Sequence, residues 1–310
     1  MAAHAARTPP SPVQVTLADL VRLRPAGESL RLTAPRIRVA AEGGHVSPYK
    51  GRGVEFDESR LYQPGDDLRT IDWRVTARTG KPHTKVFREE RNRPVFVWLD
   101  LRRPMLFATR GAYKAVRAAE LAALVAWSAV ANGDRLGGLV FSETEHHELR
   151  PALGSRSALR LLQTICTRSF WQPPTTAAGL EVDAERALQR LTRVARPGSL
   201  IFLLSDFRRL GADHERHLRQ LAMHCDLLLV HCYDAVEAEL PPPGRYRIQS
   251  VGRSFSIETS HEALRRRYHE RFAERRGALD ALCRQPGISI VDCPTEAEPR
   301  SVLNQKFRSR

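Results

Sequence analysis

Two stretches of the same form decide the fold: Val95-Phe96-Val97-Trp98-Leu99-Asp100 and Leu200-Ile201-Phe202-Leu203-Leu204-Ser205-Asp206. Each is a continuous apolar run that ends in an acidic residue, which is typical of a strand buried on both faces of a parallel sheet. Apolar runs at 135–142 and 226–233 resemble them, and helical patterns separate the four runs. This alternation predicts an α/β fold, Rossmann-type, with a parallel sheet and helices on both faces.

Weaker patterns extend outward from this centre. A short helix is predicted at 15–24 with Thr16 as its cap, loops and short strands at 41–80, an edge hairpin at 244–257, and a long charged helix at 261–283. We therefore expect a disordered tail (1–14), an N-terminal segment packing on the main domain (15–92), the main α/β domain (93–250), and a C-terminal extension of hairpin, helix and strand (251–310).

Composition excludes several classes of protein. The 310 residues have a formal net charge of +14, with 49 basic and 35 acidic residues. No apolar run approaches the roughly 20 residues that span a bilayer, and no signal peptide is visible. The five cysteines include no C-x-x-C pair, so a disulfide scaffold or zinc ribbon is excluded. We expect a cytoplasmic protein with no membrane segment, and the even spread of basic residues makes nucleic acid an unlikely main partner.

Histidines and cysteines between residues 214 and 232 form one possible ligand cluster. Cys225 and Cys232 are separated by an odd number of positions in an apolar strand, so their side chains should lie on opposite faces. This spacing favours buried, inert thiols over metal ligands.

Asp100 and Asp206 carry the most informative chemistry. Ligands of open α/β sheets bind beyond the carboxyl ends of the strands, where the strand order reverses. If the two strands are neighbours, the carboxylates lie close together and need a cation between them. Alternatively, each carboxylate caps the helix that follows it.

A longer motif precedes this domain: Gly51-Arg52-Gly53-Val54-Glu55-Phe56, Arg60-Leu61-Tyr62-Gln63-Pro64-Gly65-Asp66-Asp67-Leu68-Arg69-Thr70-Ile71-Asp72-Trp73, and Thr76-Ala77-Arg78. It resembles the hallmark of the bacterial family called domain of unknown function 58. The resemblance continues through the strands ending at Asp100 and Asp206 to the helix after His261, and it covers roughly residues 15–305. It implies a von Willebrand A-like fold and a MoxR-type AAA+ ATPase as partner, and other von Willebrand A proteins as possible partners.

The resemblance also implies the positions of a metal-ion-dependent adhesion site, which holds Mg²⁺ through an Asp-x-Ser-x-Ser loop, a threonine and a later aspartate. These positions correspond to Asp100, Arg102, Pro104, Thr175 or Thr176, and Asp206. Proline has no side-chain oxygen, and a guanidinium repels a cation. The site is therefore predicted to be degenerate, with no bound metal or other cofactor. Arg102 could bridge Asp100 and Asp206 in place of the ion, or it could be a solvated loop residue.

The hallmark segment, residues 60–78, supplies the candidate binding residues: Arg60, Tyr62, Gly65, Asp66, Asp67, Arg69, Asp72, Trp73 and Arg78. Closely alternating acids and bases favour an internal network or a docking surface over catalysis. Because Ile71 and Trp73 are apolar, we expect Asp72, Trp73 and Arg78 to face inward. The turn at Pro64-Gly65 places Arg60, Tyr62 and Asp66 nearer the surface.

The leading functional hypothesis is a non-enzymatic adaptor that works with the AAA+ ATPase in chaperone-like assembly or remodelling, as the resemblance implies. One alternative is a metal-dependent hydrolase that uses the cluster of Asp66, Asp67 and Asp72. The other is a nucleic-acid-binding protein that uses the positive charge.

Overall fold

The computed structural model describes residues 10–32, 54–63, 70–89, 93–172, 184–208, 211–250 and 253–307. The chain divides into two compact units. The first unit combines Met1–Ile37 with Arg93–Arg310, and the second is Arg38–Asn92. The predicted N-terminal segment, residues 15–92, is thus divided between the two units.

The strands are numbered along the chain: β1 (Val54–Leu61), β2 (His83–Glu89), β3 (Pro94–Asp100), β4 (Arg135–Phe141), β5 (His146–Ala152), β6 (Leu200–Ser205), β7 (Asp226–Tyr233), β8 (Arg245–Ser250), β9 (Arg253–Glu258) and β10 (Ile288–Pro294). The helices are α1 (Leu17–Arg22), α2 (Arg24–Glu28), α3 (Trp73–Thr79), α4 (Lys114–Ala131), α5 (Ser155–Ile165), α6 (Ala184–Val194), α7 (Ala212–Ala222), α8 (Ala235–Ala238), α9 (Glu262–Cys283) and α10 (Pro299–Phe307). Short 3-10 helices occur at Arg103–Met105 and Arg168–Trp171.

The first unit is built on a six-stranded sheet in the order β10-β7-β6-β3-β4-β5. All neighbouring pairs are parallel except β4 and β5. The chain adds β4 and β5 on one side of β3 and then adds β6, β7 and β10 on the other side. The strand order therefore reverses between β3 and β6, as in doubly wound folds. The prediction of an α/β, Rossmann-like fold with a mostly parallel sheet is confirmed.

Each face of the sheet is covered by its own apolar cluster. Along β3, Val95, Val97 and Leu99 belong to one cluster, which includes α1, α4, α5 and α10. Phe96 and Trp98 belong to the other, which includes α6, α7 and the end of α9. Residues of β3 alternate between the two clusters because successive side chains of a strand point to opposite faces. Both faces are covered, which explains why β3 is apolar at every position from Val95 to Leu99.

Helix α4 lies at the centre of the first cluster and is buried on nearly all sides. Its small alanines allow α2 to pack closely, and a Cβ atom on Gly27 would lie 2.6 Å from Cβ of Trp127. Trp127 Nε1 donates to the carbonyl of Leu20 at 3.1 Å, which ties α1 to α4. Thr16 caps α1 as predicted. None of the helices in the described ranges is long and apolar enough to cross a membrane.

The second unit contains an antiparallel ladder and one helix. Strands β1 and β2 pair along their length, with an irregularity between Phe56 and Glu58. Helix α3 begins after Asp72 and ends at Gly80, whose left-handed backbone (φ 69°) is typical of a helix C-terminus. The short strands expected within residues 41–80 include β1, whereas the sequence pattern does not predict α3.

Three other elements differ from the sequence-based expectations. The edge strand β5 is antiparallel and mostly exposed, so its polar sequence lacks the pattern of a buried strand. The predicted hairpin is confirmed as β8–β9, but it forms its own two-stranded sheet and is not an edge of the main sheet. Helix α10 is not predicted either, because its short sequence has only two strongly apolar core residues, Val302 and Leu303.

Two glycines with the same backbone conformation provide a test of the packing between α4 and the end of β10. Gly111 and Gly133 both have φ 73°, but a Cβ at Gly111 would lie 2.3 Å from the carbonyl oxygen of Thr295, while Gly133 has open space. We expect Gly133→Ala to cost about 1 kcal/mol from backbone strain. Gly111→Ala should cost on the order of 3 kcal/mol, because overpacking adds to that strain. Urea unfolding of both variants measures the difference, and equal costs would contradict the close packing.

Candidate functional site

Asp100 and Asp206 lie at the ends of neighbouring strands, as predicted. Asp100 is the last residue of β3 and Asp206 follows β6, and the two strands pair in parallel up to Leu99 and Leu204. Both aspartates are buried, with 0% and 5% of their surfaces exposed. They therefore lie where the strand order reverses, which is the usual ligand position in this class of fold.

Both carboxylate oxygens of Asp100 accept hydrogen bonds, from a residue of its own loop and from the neighbouring strand. Arg102 Nε donates to Oδ1 at 2.9 Å, and its Nη2 donates to Oδ2 at 2.7 Å. Ser205 Oγ also donates to Oδ2, at 2.7 Å, so the hydroxyl joins β6 to β3. Burial opposes the charge of Arg102, but the Asp100 carboxylate outweighs it and raises the pKa of the guanidinium. Arg102 and Asp100 therefore form a bidentate ion pair, which is the strongest arrangement of a guanidinium and a carboxylate.

The predicted bridge by Arg102 is wrong in one respect. Within the described part of the chain, the Arg102 side chain donates to Asp100 alone, and a different cation pairs with Asp206. Lys114 Nζ lies 3.0 Å from Asp206 Oδ2 and has no exposed surface. Arg102 is only two positions from Asp100, and the two-pronged contact uses its Nε and Nη2 donors on the nearer carboxylate. The alternative of a solvated Arg102 is also excluded, because its side chain is 15% exposed.

A second carboxylate shares the lysine. Lys114 Nζ donates to the two oxygens of Glu237 at 2.8 and 3.1 Å, and Arg208 pairs with both Glu237 and Asp206. Burial raises the pKa of Asp206, but Lys114 and Arg208 outweigh burial, so that the pKa is lowered overall. We refer to Lys114, Asp206, Arg208 and Glu237 as the charge network. The lowered pKa keeps Asp206 ionised beside these two cations, and both cations also pair with Glu237.

Asp234 lies beside the charge network and is held by neutral donors. It accepts hydrogen bonds from the backbone and hydroxyl of Thr109, at 2.8 and 2.6 Å, and from the hydroxyl of Thr295, at 2.8 Å. It also caps α8 through the backbone N–H of Val236. Burial opposes its ionisation, but these hydrogen bonds lower the pKa of Asp234 below its usual value. Its four donors leave little capacity for another ligand.

The turn after β6 fixes the position of Asp206. Phe207 has a left-handed backbone (φ 48°), which is uncommon for a residue with a side chain. In this conformation the N–H of Phe207 donates to Ser205 Oγ at 3.1 Å, and the N–H of Arg208 donates to Asp206 Oδ1 at 3.1 Å. These bonds offset the backbone strain and hold the carboxylate against Lys114.

The donor set does not fit a divalent ion. Both oxygens of Asp100 and one oxygen of Asp206 are bound to cationic side chains, and Pro104 lies in the 3-10 helix Arg103–Met105 without a side-chain oxygen. Thr175 and Thr176 lie outside the described residues. Across the described ranges, no group of three or more His, Cys, Asp or Glu side chains is arranged to hold a metal. That the protein binds no metal stays a prediction, and titration with metal tests it.

The hallmark segment lies in the second unit, and only part of it is described. Asp72 is buried, caps α3 through the N–H groups of Arg74 and Val75, and accepts a hydrogen bond from Ser59. Trp73 and Arg78 are exposed, so the prediction that they face inward is wrong. The reason is the unpredicted helix α3, which turns these two positions towards solvent. Arg60 and Tyr62 are half-buried, and Gly65, Asp66, Asp67 and Arg69 lie outside the described residues.

The prediction that Cys225 and Cys232 are buried on opposite faces of the sheet is confirmed. Cys225 and Cys232 are buried and belong to the apolar clusters on opposite faces of the sheet. Burial raises the pKa of the Cys225 thiol, which makes a thiolate ligand or nucleophile unfavourable there.

Sequence reasoning missed Lys114 and Glu237, although both left a signal. Lys114 is one of only five lysines among 49 basic residues, and it begins an apolar helix. A cation at a helix N-terminus is unfavourable unless acids pair with it. Glu237 is the fourth residue of an Asp-x-x-Glu capping box that follows an apolar strand.

The fold and its site define a Rossmann-like α/β protein whose sheet carries internally paired charges where the strand order reverses. The match to a family model is specific: "Protein of unknown function DUF58" matches residues 58–278. The chain belongs to this family.

Relatives support the same assignment. The chain is similar to the uncharacterized proteins Mb1516 of Mycobacterium bovis and Rv1480 of Mycobacterium tuberculosis, with 30% identity over 296 residues, covering 94% of this chain and 90% of each relative. Among solved structures, it is similar to the conserved hypothetical protein BatB from Bacteroides thetaiotaomicron (15% identity, TM-score 0.43, 70% of this chain and 97% of that chain). It is also similar to an aerotolerance-related membrane protein from Bacteroides fragilis (13% identity, TM-score 0.42, 70% and 98%). At these TM-scores, neither structure supports an argument about function.

The charge network provides a direct test with a matched pair of variants. Lys114→Met leaves two buried carboxylates with Arg208 as their remaining cation, and we expect a cost of about 3–5 kcal/mol in the free energy of unfolding. Arg208→Met removes a cation whose side chain is 39% exposed, so it should cost only about 1 kcal/mol. Urea unfolding at neutral pH compares the two. Equal, small losses would show that the ammonium is not what holds the two carboxylates in place.

Proposed function

We propose that this protein is a non-enzymatic adaptor with a von Willebrand A-like domain and a degenerate metal-ion-dependent adhesion site. One observation carries the proposal: Asp100, Asp206 and Glu237 are all neutralised by cations of the chain itself. A general acid or base must exchange a proton with substrate, and a metal ligand needs free oxygens. Carboxylates that are paired in this way are suited to holding a protein surface in one conformation, and they are not suited to proton transfer or metal binding.

The von Willebrand A-like assignment rests on the resemblance of the motifs and is supported by the sheet. The strand order brings Asp100 and Asp206 next to each other, at the positions where an adhesion site would hold its ion. Arg102 stands at the first serine position of the loop, and its guanidinium fills the space beside Asp100. A permanent charge on the chain then replaces a charge that other such domains acquire from solution.

The partner that we propose is a MoxR-type AAA+ ATPase, with the adaptor presenting clients for assembly or remodelling. The support is the resemblance of the hallmark segment together with a structural observation about it. Within the described residues, Asp72 is engaged as a helix cap, which weakens the alternative of an Asp66, Asp67 and Asp72 hydrolase.

Binding to the ATPase is the deciding experiment. The purified chain and a purified MoxR-type AAA+ ATPase from the same organism should form a complex in light scattering after size exclusion, and the chain should alter the rate of ATP hydrolysis. An unrelated AAA+ ATPase from that organism serves as the control. Absence of a complex at micromolar concentrations, or hydrolysis of phosphoesters by the chain alone, would contradict the adaptor function.

Metal titration tests the degenerate site separately. We expect Mg²⁺ and Mn²⁺ to leave the melting temperature unchanged, because a ligand stabilises a protein only to the extent that it binds the folded state. The measurement is a thermal-shift series from chelator to millimolar metal. Stabilisation at sub-millimolar metal that is lost in Asp100→Ala would be the opposite result.

A further inference from the structure

The most exposed large apolar side chain among the described residues is Trp73, in the hallmark segment. It is 70% exposed, whereas the other three tryptophans, Trp98, Trp127 and Trp171, are 2%, 1% and 8% exposed. A tryptophan in water forgoes a large burial energy, and tryptophan is enriched at the centres of binding interfaces. Leu61, in the same unit, is also exposed, at 53%.

The exposed charged side chains that the structure describes in the second unit all have one sign. In the part of the second unit whose side chains are described, residues 59–63 and 70–84, the exposed charged side chains are Arg74, Arg78 and Lys81. The acidic residue in this part, Asp72, is buried under the helix as its cap. Arg74 and Arg78 form no ion pair within the described part of the chain. Their charge is therefore available to another molecule.

The helix arranges these groups in two adjacent rows. Residues four apart on a helix are neighbours, so Arg74 lies beside Arg78, and Trp73 lies beside Ala77. The two arginines are separated by about 6 Å along the helix axis, at 1.5 Å per residue. Two carboxylates four apart on a partner helix have the same spacing. The small side chain of Ala77 leaves room for an apolar group against the tryptophan ring.

We propose that Trp73, Arg74, Ala77 and Arg78 form a docking surface for an acidic helical segment of a protein partner. The arginines bind a pair of carboxylates, and Trp73 packs against an apolar side chain next to them. This inference rests on the proposed adaptor function, since it identifies the surface and chemistry by which such an adaptor holds its partner. Arginine favours carboxylates here because its planar donor fork matches their geometry.

Trp73 itself reports on its surroundings. Because the other tryptophans are buried, a soluble quencher should reach mainly Trp73, and Trp73→Phe should remove most of the quenchable fluorescence. Iodide, an anion, should quench more strongly than caesium in the full-length protein. Replacing the charges in Arg74→Gln/Arg78→Gln should reduce that preference. If neither ion quenches Trp73, the residue is covered by the rest of the chain, and this result would overturn the proposal.

The docking test uses a defined probe. A fluorescein-labelled, helix-forming peptide with two glutamates four residues apart and a neighbouring leucine is titrated into the full chain, and anisotropy is measured. The control peptide has glutamines in place of the glutamates. We expect at least tenfold weaker binding for the control peptide, for Trp73→Ala and for Arg74→Gln/Arg78→Gln. The matched controls Met223→Ala and Arg216→Gln alter a comparably exposed methionine and arginine on the first unit and should bind normally.

The outcomes separate this proposal from the adaptor function. If the peptide binds at Trp73 but no complex with the ATPase forms, the proposed docking surface is supported and the proposed ATPase partner is contradicted. A complex with the ATPase that survives both hallmark variants supports the adaptor and overturns the surface. Equal binding of the glutamine peptide, or stronger protection of Trp73 by a DNA duplex than by the acidic peptide, also overturns the proposal.

Discussion

Lys114 brings a fully buried ammonium group between the carboxylates of Asp206 and Glu237, and much of the first unit depends on this arrangement. Each ion loses several kcal/mol of hydration when it is buried, so none of the three is tolerable alone. The lysine begins α4, the aspartate follows β6, and the glutamate lies in α8, directly after β7. The charge network therefore joins the central helix to two neighbouring strand ends, and a displacement of any one element leaves a buried charge without its partner.

The sequence was sufficient for the centre of the fold and insufficient for its edges. Strands such as β3 and β6 are apolar along nearly their whole length because both faces are covered, and a short uninterrupted apolar run between turn signals is typical of such strands. β5 and α3 are largely exposed, so no burial pattern marked them. Their positions depend on neighbours that lie elsewhere in the sequence, which local periodicity does not reveal.

The site shows the same limit at the level of single residues. Asp100 and Asp206 could be identified because strand ends at the point of reversal are fixed by topology. The cation that pairs with Asp206 could not be identified from the sequence. Lys114 is 92 positions away, and it meets Asp206 only after α4 has packed on the sheet. The nearby Arg102 was the natural candidate in sequence, and it does bind an aspartate. Local geometry limits it to the nearer one.

The two outer strands of the main sheet differ in how they avoid pairing with another molecule. An uncovered strand presents unpaired backbone groups that can add a strand from a second chain, which is a common route to aggregation. β5 carries Pro151, which lacks an N–H, together with the charged residues Glu148 and Arg150. β10 lies against α9 and α10 and ends in Pro294. Self-assembly by extension of this sheet is therefore disfavoured at both ends.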